Sequence, residues 1–389
     1  MDGLVSPRLS LSLLAAAMVV GGCEPISFPK QELPLELEDV DERMTPWGVC
    51  EGGWQTRTVL PLGTKANPDF GLDADGHAYF LEYGDDLVRV VTTRPGRRFE
   101  KVPWMGMYPW IGGVRVDAQG EVHLAVSPQF QDGSASVPTY FFHSSQGGWL
   151  SERLVSGWVH DFDMDAQGGL HALTVMPVGN YPMRHIQGPP EALVTEEPFV
   201  VLQNRDRMHS LRVDDKGHAH VVYQFTGLPR TSSIQYATNA SGSWVTEQIA
   251  PEGNFPLIAV TPSGTPHVVW NGGGDVWLGV RRAEGGWDVS QTGLSGASPG
   301  AMTVSDSGEV HLLHESGKNL DHWVRSERGW EKTTLSVAGE DTFAVPFSAS
   351  HLELDARGRV HAIYGLVMEV ELNGENRVLK RFDYTRQCP

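Results

Sequence analysis

Apolar residues occur at every second position in short runs that precede an Asp-x-x-Gly segment. Leu211 with Val213, and Leu352 with Leu354, are two such pairs. A period of two predicts β-strands that bury one face. In the Asp-x-x-Gly segment the carboxylate can accept backbone N–H groups and the glycine tolerates positive φ, so the segment predicts a short hairpin turn.

This unit occurs seven times, with Thr261 or Ser305 replacing the aspartate in two copies. Each turn is followed by a second strand such as 220–223, a third such as 233–236, and an alternating tail that follows a tryptophan, as at Trp330. We name these four strands A to D in chain order. The repeat glycines are 44 to 50 residues apart: Gly76, Gly120, Gly168, Gly217, Gly264, Gly308 and Gly358. Seven units of this length predict an all-β, seven-bladed β-propeller of four-stranded blades over residues 49–389.

The two ends of the repeat region complete each other. Residues 53–60 form a strand D with no blade before it, and residues 381–384 form a strand C with nothing after it. Tyr384 lies four residues before Cys388, and Cys50 lies four residues before Trp54, so the cysteines occupy the place of the missing turn. We therefore predict one blade shared by both termini and closed by a Cys50–Cys388 disulfide, which an exported compartment permits.

The N-terminus carries a targeting signal. Residues 9–20 are apolar, follow Arg8, and are too short to span a bilayer comfortably. The run Val20-Gly21-Gly22-Cys23 resembles the lipobox of bacterial lipoproteins, whose cysteine is diacylated and becomes the new N-terminus. The resemblance implies a signal peptide at 1–22, lipid on Cys23, and anchoring in the bacterial cell envelope, at the outer membrane or cell surface. The alternative is an ordinary secretory signal with a chance cysteine.

Residues 23–48 are rich in proline and acidic residues, which indicates a solvated tether between the anchor and the propeller.

The charge and composition exclude several classes of protein. Lys and Arg number 30 against 48 Asp and Glu, which gives a net charge of −18. A chain this acidic would be repelled by nucleic acids and by anionic lipid headgroups. Because 40% of the residues are hydrophobic, the chain can build a large core, and global disorder is excluded.

The Asp-x-x-Gly-x-x-His repeats resemble those of secreted bacterial β-propellers of the broad BNR-like, sialidase-like type. The resemblance covers Cys50 to Cys388 and implies the fold without an activity. The sialidase Asp-box lies on the C-to-D turn and is absent here, and no sialidase arginine triad can be placed. Polysaccharide lyases of the ulvan-lyase kind also look like seven-bladed propellers with His, Tyr and Arg in a central cleft, but no motif here assigns their catalytic residues.

Histidines recur at one position of strand B, which raises the question of a metal site. Equivalent residues in neighbouring blades are a whole blade apart, about 9 to 10 Å, whereas metal ligands sit about 2 Å from one ion. We therefore predict a repeated structural hydrogen bond, and no metal or cofactor. Asp73-Ala74-Asp75-Gly76 begins like a calcium loop but lacks its later ligands, so calcium binding stays open. The repeat histidines are His123, His171, His220, His267, His311 and His361.

Departures from the repeat predict a ligand site. They cluster where the chain enters strand A, on the face that carries the D-to-A and B-to-C connections, here called the loop face. The candidate ligand-binding residues there are His160, Asp161, Arg207, His209 and His351, and the insertion 176–198 adds Tyr181, Arg184 and His185 as a lid. Histidine, acid, arginine and aromatic groups suit a sugar. The alternative is a hydrated polar funnel without a ligand.

Two functional hypotheses follow. The first is a monomeric binding module for a glycan or a protein partner, without catalysis. The second is a polysaccharide lyase or glycosidase that uses the His, Tyr and acidic groups of the loop face. The sequence contains no nucleophile elbow, Walker loop, His-Glu-x-x-His motif or Cys-x-x-Cys pair, which favours the first hypothesis.

Overall fold

A computed structural model describes most of the repeat region and little of the N-terminus. The described residues are 37–38, 44–60, 66–83, 88–95, 99–103, 109–128, 138–145, 148–175, 182–189, 192–196, 200–201, 209–226, 232–296, 298–316, 319–337, 342–344, 350–372 and 375–389. Every regular element in this part of the chain is a β-strand. None of the described segments is a helix with the length and hydropathy of a membrane span.

The strands form seven antiparallel sheets, one per blade. Blade 1 contains β1 (Leu37–Glu38), β3 (Ala66–Leu72), β4 (Ala78–Tyr83), β5 (Val88–Thr92) and β6 (Phe99–Val102). Blade 2 contains β7 (Pro109–Val116), β8 (Val122–Pro128), β9 (Pro138–Ser145) and β10 (Gly148–Ser156). Blade 3 contains β11 (Trp158–Met164), β12 (Leu170–Val175), β13 (Pro182–Gly188), β14 (Val194–Thr195) and β15 (Val200–Val201).

The remaining blades continue in chain order. Blade 4 contains β16 (His209–Val213), β17 (Ala219–Thr226), β18 (Ser232–Thr238) and β19 (Val245–Ala250). Blade 5 contains β20 (Asn254–Val260), β21 (Pro266–Gly272), β22 (Asp275–Arg281) and β23 (Trp287–Ser295). Blade 6 contains β24 (Pro299–Val304), β25 (Val310–Ser316), β26 (Asn319–Ser326) and β27 (Gly329–Val337). Blade 7 contains β2 (Trp54–Leu60), β28 (Thr342–Ala344), β29 (Ser350–Leu354), β30 (Val360–Leu372) and β31 (Glu375–Gln387). The predicted seven-bladed fold is confirmed.

Blade 7 closes the ring as the sequence predicts. β2 pairs with β31, with Trp54 opposite Gln387 and Thr56 opposite Thr385, so the first and last long strands lie in one sheet. Cys50 and Cys388 form a disulfide with a Cα–Cα distance of 6.2 Å. The predicted shared blade and the predicted disulfide are both confirmed.

The A-to-B turns have the predicted chemistry. In blade 4, Asp214 Oδ1 accepts the backbone N–H groups of Lys216 and His218 at 3.0 and 2.8 Å. Gly217 in the same turn has a φ of +79°, which glycine adopts without strain. In blade 5 the hydroxyl of Thr261 replaces the carboxylate and accepts the N–H of Thr265. The aspartate is therefore a turn residue, and a threonine can substitute for it.

The repeat histidines form hydrogen bonds inside the blades. His220 Nδ1 lies 2.6 Å from the Tyr236 hydroxyl, and its Nε2 lies 3.6 Å from the Asp214 carboxylate. His361 is placed in the same way between Asp355 and Tyr384. Burial lowers the pKa of His220 to about 4, so its ring is neutral at pH 7. These contacts confirm the predicted structural role.

The hydrophobic core lies between the blades. One cluster, for example, joins Ala259, Val269 and Leu278 of blade 5 to Met302 and Leu312 of blade 6. The seven A strands contact one another in ring order, β3 next to β7 and finally β29 next to β3, so they are the innermost strands. Residues of these strands are therefore the ones that reach the central axis.

Candidate functional site

Two positions on each innermost strand carry the chemistry of the axis. They lie four and two residues before the aspartate position of the A-to-B turn. The first position holds Asp69, Gly113, Asp161, Ser210, Leu257, Ala301 and His351, and the second holds Gly71, Arg115, Asp163, Arg212, Ala259, Thr303 and Glu353, in blade order. Charged residues therefore come from blades 7, 1, 2, 3 and 4.

Arg115 lies at the centre of an ion-pair network, which we call the axial network. Its Nη1 donates to Asp69 Oδ2 at 3.0 Å in blade 1, and its Nε donates to Asp163 Oδ1 at 3.1 Å in blade 3. His351 joins blade 7, because its Nδ1 lies 3.1 Å from Asp69 Oδ1 and its Nε2 lies 3.2 Å from Glu353 Oε1. The network therefore connects four consecutive blades.

Blade 4 is attached to the network by backbone and side chain together. Asp161 Oδ2 accepts the N–H of Leu211 at 2.8 Å and lies 3.5 Å from Arg212 Nη1. Asp163 Oδ2 accepts the N–H of Val213 at 2.9 Å. Charge-assisted bonds of this kind hold the carboxylates in fixed positions.

Close packing accompanies the network. A Cβ added to Gly113 would lie 2.7 Å from Asp69 Oδ2. The same oxygen accepts the N–H of Val114 at 3.0 Å. Glycine at position 113 therefore leaves the space that the Asp69 carboxylate occupies.

Burial and charge oppose each other in the network. Burial alone would raise the pKa of Asp69, but the charges of Arg115 and His351 and the Val114 N–H lower it overall. For Asp161 burial outweighs the charges of Arg212 and Arg115, and its pKa is raised. Burial would lower the pKa of Arg115, but Asp69 and Asp163 raise it above its ordinary value. Arg115 is therefore a permanent cation between two carboxylates.

An axial cavity of about 650 Å³ adjoins the network. Thr303 of blade 6 lines it, and blade 5 has only the short side chain of Ala259 at the equivalent position. Arg115, Asp163, Arg212, His351 and Glu353 line one part, and the A-to-B turns of blades 6 and 7, at 305–307 and 355–358, line another. The cavity therefore lies on the face that carries the A-to-B turns, here called the turn face.

The predicted residues His160 and His209 meet at the junction of blades 3 and 4. Their ring centroids are 4.2 Å apart, with the ring planes tilted by 57°. Both ring nitrogens of His209 are buried without a hydrogen-bond partner in the described structure. Burial lowers the pKa of His209 to about 4, so this imidazole is neutral at pH 7.

The other predicted site residues lie in different parts of the molecule. His351 lines the axial cavity, and Asp161 belongs to the axial network. Tyr181 and Arg207 lie outside the described residues, as do most connections of the loop face. Whether the loop face binds a ligand therefore stays a prediction.

The interpretation of residues 176–198 as a lid is wrong for its central part. Residues 182–188 form β13, the third strand of blade 3, so Arg184 and His185 lie within the sheet opposite Thr174 and Leu173. His185 is fully buried, 3.0 Å from His171 Nδ1 and 2.9 Å from Glu196 Oε2. It occupies the position that Tyr236 has in blade 4, because each lies two residues before the strand C residue that is opposite the strand B histidine.

Five charged residues of the axis were not predicted as a group: Asp69, Arg115, Asp163, Arg212 and Glu353. A signal existed in the sequence, because all of them lie two or four residues before a turn residue. An alignment of the seven units at these two positions shows charged residues in blades 7, 1, 2, 3 and 4 and uncharged residues in blades 5 and 6.

In the part of the chain that the structure describes, two groups of potential metal ligands lie in the A-to-B turns. The ligand atoms of Asp73, Asp75 and His77 lie within 4.8 Å of one another, as do those of Asp117, Glu121 and His123. In both turns the first aspartate already accepts two backbone N–H groups, and these bonds hold its carboxylate in place without an ion. These groups carry no metal assignment.

The fold is shared with solved propellers. Virginiamycin B lyase from Staphylococcus aureus with quinupristin is 11% identical, with a TM-score of 0.55 over 85% of this chain and 99% of that one. YCF48 bound to D1 peptide is 12% identical, with a TM-score of 0.55 over 88% and 98%. A puromycin hydrolase mutant is 14% identical, with a TM-score of 0.52 over 80% of this chain and 53% of that one.

The similarity does not extend to a family. No protein-family model matches the chain, and no curated protein matches it. At identities of 11 to 14% the solved structures show the fold alone. These neighbours include a lyase, a peptide complex and a hydrolase, so the shared fold does not settle the function of this chain.

Proposed function

We propose that this chain is an exported, lipid-anchored binding module that holds a glycan or a protein partner on the propeller axis and catalyses no reaction. The observation that supports this proposal is the axial cavity beside the axial network, whose charged groups are already bonded to one another. The axial cavity has a volume of about 650 Å³, within the range of about 300 to 1,000 Å³ that is common for ligand sites.

The rim of the cavity offers varied hydrogen-bonding groups. Ser305 and Ser307 provide hydroxyls, Asp306 provides an exposed carboxylate, and Arg357 provides an exposed guanidinium. Such a mixture of donors and acceptors suits the hydroxyls of a sugar or the polar groups of a peptide. It does not discriminate between a glycan and a protein partner.

The charged groups of the axial network are suited to positioning rather than to catalysis. Arg115 bonds two carboxylates at once, and Asp163 bonds both Arg115 and the Val213 N–H. A group that reacts with substrate has to change its protonation or bonding during the reaction. Each of these groups would have to give up a bond that joins two blades, which argues for a scaffold.

The proposal places the propeller near a membrane. Its support is the run from Val20 to Cys23, which lies outside the described residues, together with the acidic composition of the tether. The solvated composition of residues 23–48 is expected for a spacer between lipid and a folded domain.

A blocking substitution tests the axial cavity. Ser307 lies on the exposed turn of blade 6 at the cavity, and Lys216 occupies the same turn position in blade 4 without lining it. A glycan array probed with residues 47–389 identifies ligands, after which S307W is expected to abolish retention and K216W to preserve it. Equal retention by the two variants would contradict the assignment to the cavity.

The histidine pair favours a second candidate, a polysaccharide lyase or glycosidase at the loop face. Burial lowers the pKa of His209 to about 4, and the pKa of Asp161, the residue after His160, is raised. Perturbed pKa values of this kind are frequent among catalytic groups. A lyase would convert acidic polysaccharides to unsaturated uronates that absorb ultraviolet light. If absorbance appears with wild type and not with H209Q, the binding-only proposal is wrong.

A further inference from the structure

A second concave site lies between blades 5 and 6, away from the axis. This groove has a volume of about 510 Å³ and shares no lining residue with the axial cavity. Its residues come from β21, β22 and β23 of blade 5 and from β26 of blade 6: His267, Val280, Trp287, Asp288, Val289, Ser290 and Arg325.

The strand register sets the two walls of the groove. His267 lies opposite Val280, and Val280 lies opposite Asp288, so these three residues form a row on one face of blade 5. Val280 packs in the core cluster between blades 5 and 6, which shows that this face is turned toward blade 6. Trp323 of β26 packs in the same cluster, and Arg325 follows it two residues later on the same face of its strand. Arg325 therefore faces the row from blade 6.

Among the described residues, Arg325 has no counter-charge. In the described part of the chain, no carboxylate lies within 4.0 Å of its guanidinium, and its side chain donates no hydrogen bond there. It is half-buried, unlike the exposed Arg328 three residues later. The guanidinium presents a planar fork that matches a carboxylate with two parallel hydrogen bonds.

The opposite wall supplies acceptors. His267 Nδ1 lies 3.2 Å from the Thr265 carbonyl oxygen, which can only accept, so Nδ1 carries the proton and Nε2 is an acceptor. Burial lowers the pKa of His267, with a further lowering by the charge of Arg325, so the ring stays neutral at pH 7. Asp288 adds a carboxylate with an exposed fraction of 71%, and Ser290 adds a hydroxyl.

We propose that this groove binds a carboxylated saccharide, with the sugar carboxylate on Arg325 and sugar hydroxyls donating to His267 Nε2 and Asp288. Because Asp288 is paired with Arg282 at 3.7 Å, the Arg325 guanidinium is left to balance one negative charge. A phosphate monoester would bring about 1.5 to 2 negative charges close to Asp288, and a neutral sugar would leave Arg325 unpaired. The carboxylate is therefore the anion that the groove fits.

The test uses D-glucuronate as probe and ligand-detected saturation-transfer NMR as readout. Wild-type residues 47–389 are expected to bind glucuronate saturably and to bind glucose at least tenfold more weakly. R325Q is expected to weaken glucuronate binding at least tenfold, R325K to give an intermediate value because it keeps the charge without the fork, and R328Q to match wild type. Circular dichroism checks that all variants are folded.

Three outcomes with these sugars and Arg325 variants would overturn the proposal, and the variant S307W provides a fourth. The first three are no saturable glucuronate signal with wild type, an R325Q variant that binds like wild type, and glucose 6-phosphate binding more tightly than glucuronate. S307W separates this groove from the axial cavity, since it is expected to leave glucuronate binding unchanged. If S307W removes glucuronate binding, the sugar occupies the axial cavity and the groove assignment is wrong.

Discussion

Arg115 connects three blades through one side chain. It is buried and bonds Asp69 of blade 1 and Asp163 of blade 3 from its own position in blade 2. A buried ion pair contributes little net stability compared with an apolar replacement of both partners, but removing one partner leaves the others uncompensated. The network therefore fixes the relative positions of the blades more than it adds to their free energy of unfolding.

Replacing Arg115 should destabilise the fold. R115Q leaves Asp69 and Asp163 without their cation, and losses of about 3 to 5 kcal/mol are typical when one member of a buried pair is removed. Urea unfolding followed by tryptophan fluorescence measures the change. R282Q breaks the exposed pair with Asp288 and should cost less than about 1 kcal/mol. A similar small loss for both variants would show that Arg115 is unimportant for stability.

Buried histidines should make the fold sensitive to acid. Burial lowers the pKa values of His209, His220 and His311 from an ordinary 6.5 to about 4 in the folded chain. Between these values the unfolded chain binds more protons, so the free energy of unfolding should fall as pH decreases from about 6.5 toward 4. Each fully shifted histidine contributes up to about 3 kcal/mol of this loss.

The variant H209L tests one of these contributions. Removing the titrating ring should make the free energy of unfolding depend less on pH between about 6.5 and 4, which urea unfolding at a series of pH values measures. Parallel profiles for H209L and wild type would contradict the assignment of a low pKa to His209.

At the scale of strands and turns, the repeated chemistry determined what could be predicted. The A-to-B turns, the strand B histidines and the shared blade all follow from residues that recur at fixed spacing. His185 was misassigned because the spacing between the strand B histidine and its strand C partner differs from blade to blade, with 14 residues from His171 to His185 and 16 from His220 to Tyr236. The axial network was missed because its members differ in type from blade to blade, and only their mutual pairing gives them a common role.

The disulfide should stabilise blade 7 measurably. It joins positions 338 residues apart, and the chain-entropy model assigns about 6 kcal/mol to closing a loop of this size. C50S should therefore lower the thermal midpoint, while C388S and the double variant should show the same loss because the two cysteines act as one bond. Unequal losses would indicate that one serine disturbs the fold independently of the bond.

At the scale of the whole molecule, the axis is asymmetric. Five consecutive blades contribute charged side chains, and blades 5 and 6 contribute short uncharged ones, so the axial cavity is displaced toward that side. The seven-bladed fold and the shared blade 7 could be predicted from the two-residue period of apolar residues and from the spacing of the repeat glycines and the cysteines. The position of the cavity could not, because it depends on which long side chains fill the centre and which leave it empty.

The proposed lipid anchor predicts the location of the protein in cells. C23S removes the sulfur that would carry the diacyl group, so the protein should move from the membrane pellet to the soluble exported fraction. Fractionation with an antibody to the propeller measures this, and C50S serves as a control that retains Cys23. A pellet that still contains all of the C23S protein would exclude lipid on Cys23 as the attachment.

Because β2 and β31 pair in blade 7, the ring of blades does not depend on the point at which the chain enters and leaves it. The Cα atoms of Cys50 and Cys388 are 6.2 Å apart, close enough for a short peptide linker to replace the bond between them. The exposed two-residue hairpin at Gly273 and Gly274 could then serve as a new opening between two strands of blade 5. A gene rearranged in this way would begin in blade 5 and still encode the same ring. The contacts of each blade depend on its neighbours in space and not on the order in which the blades are translated.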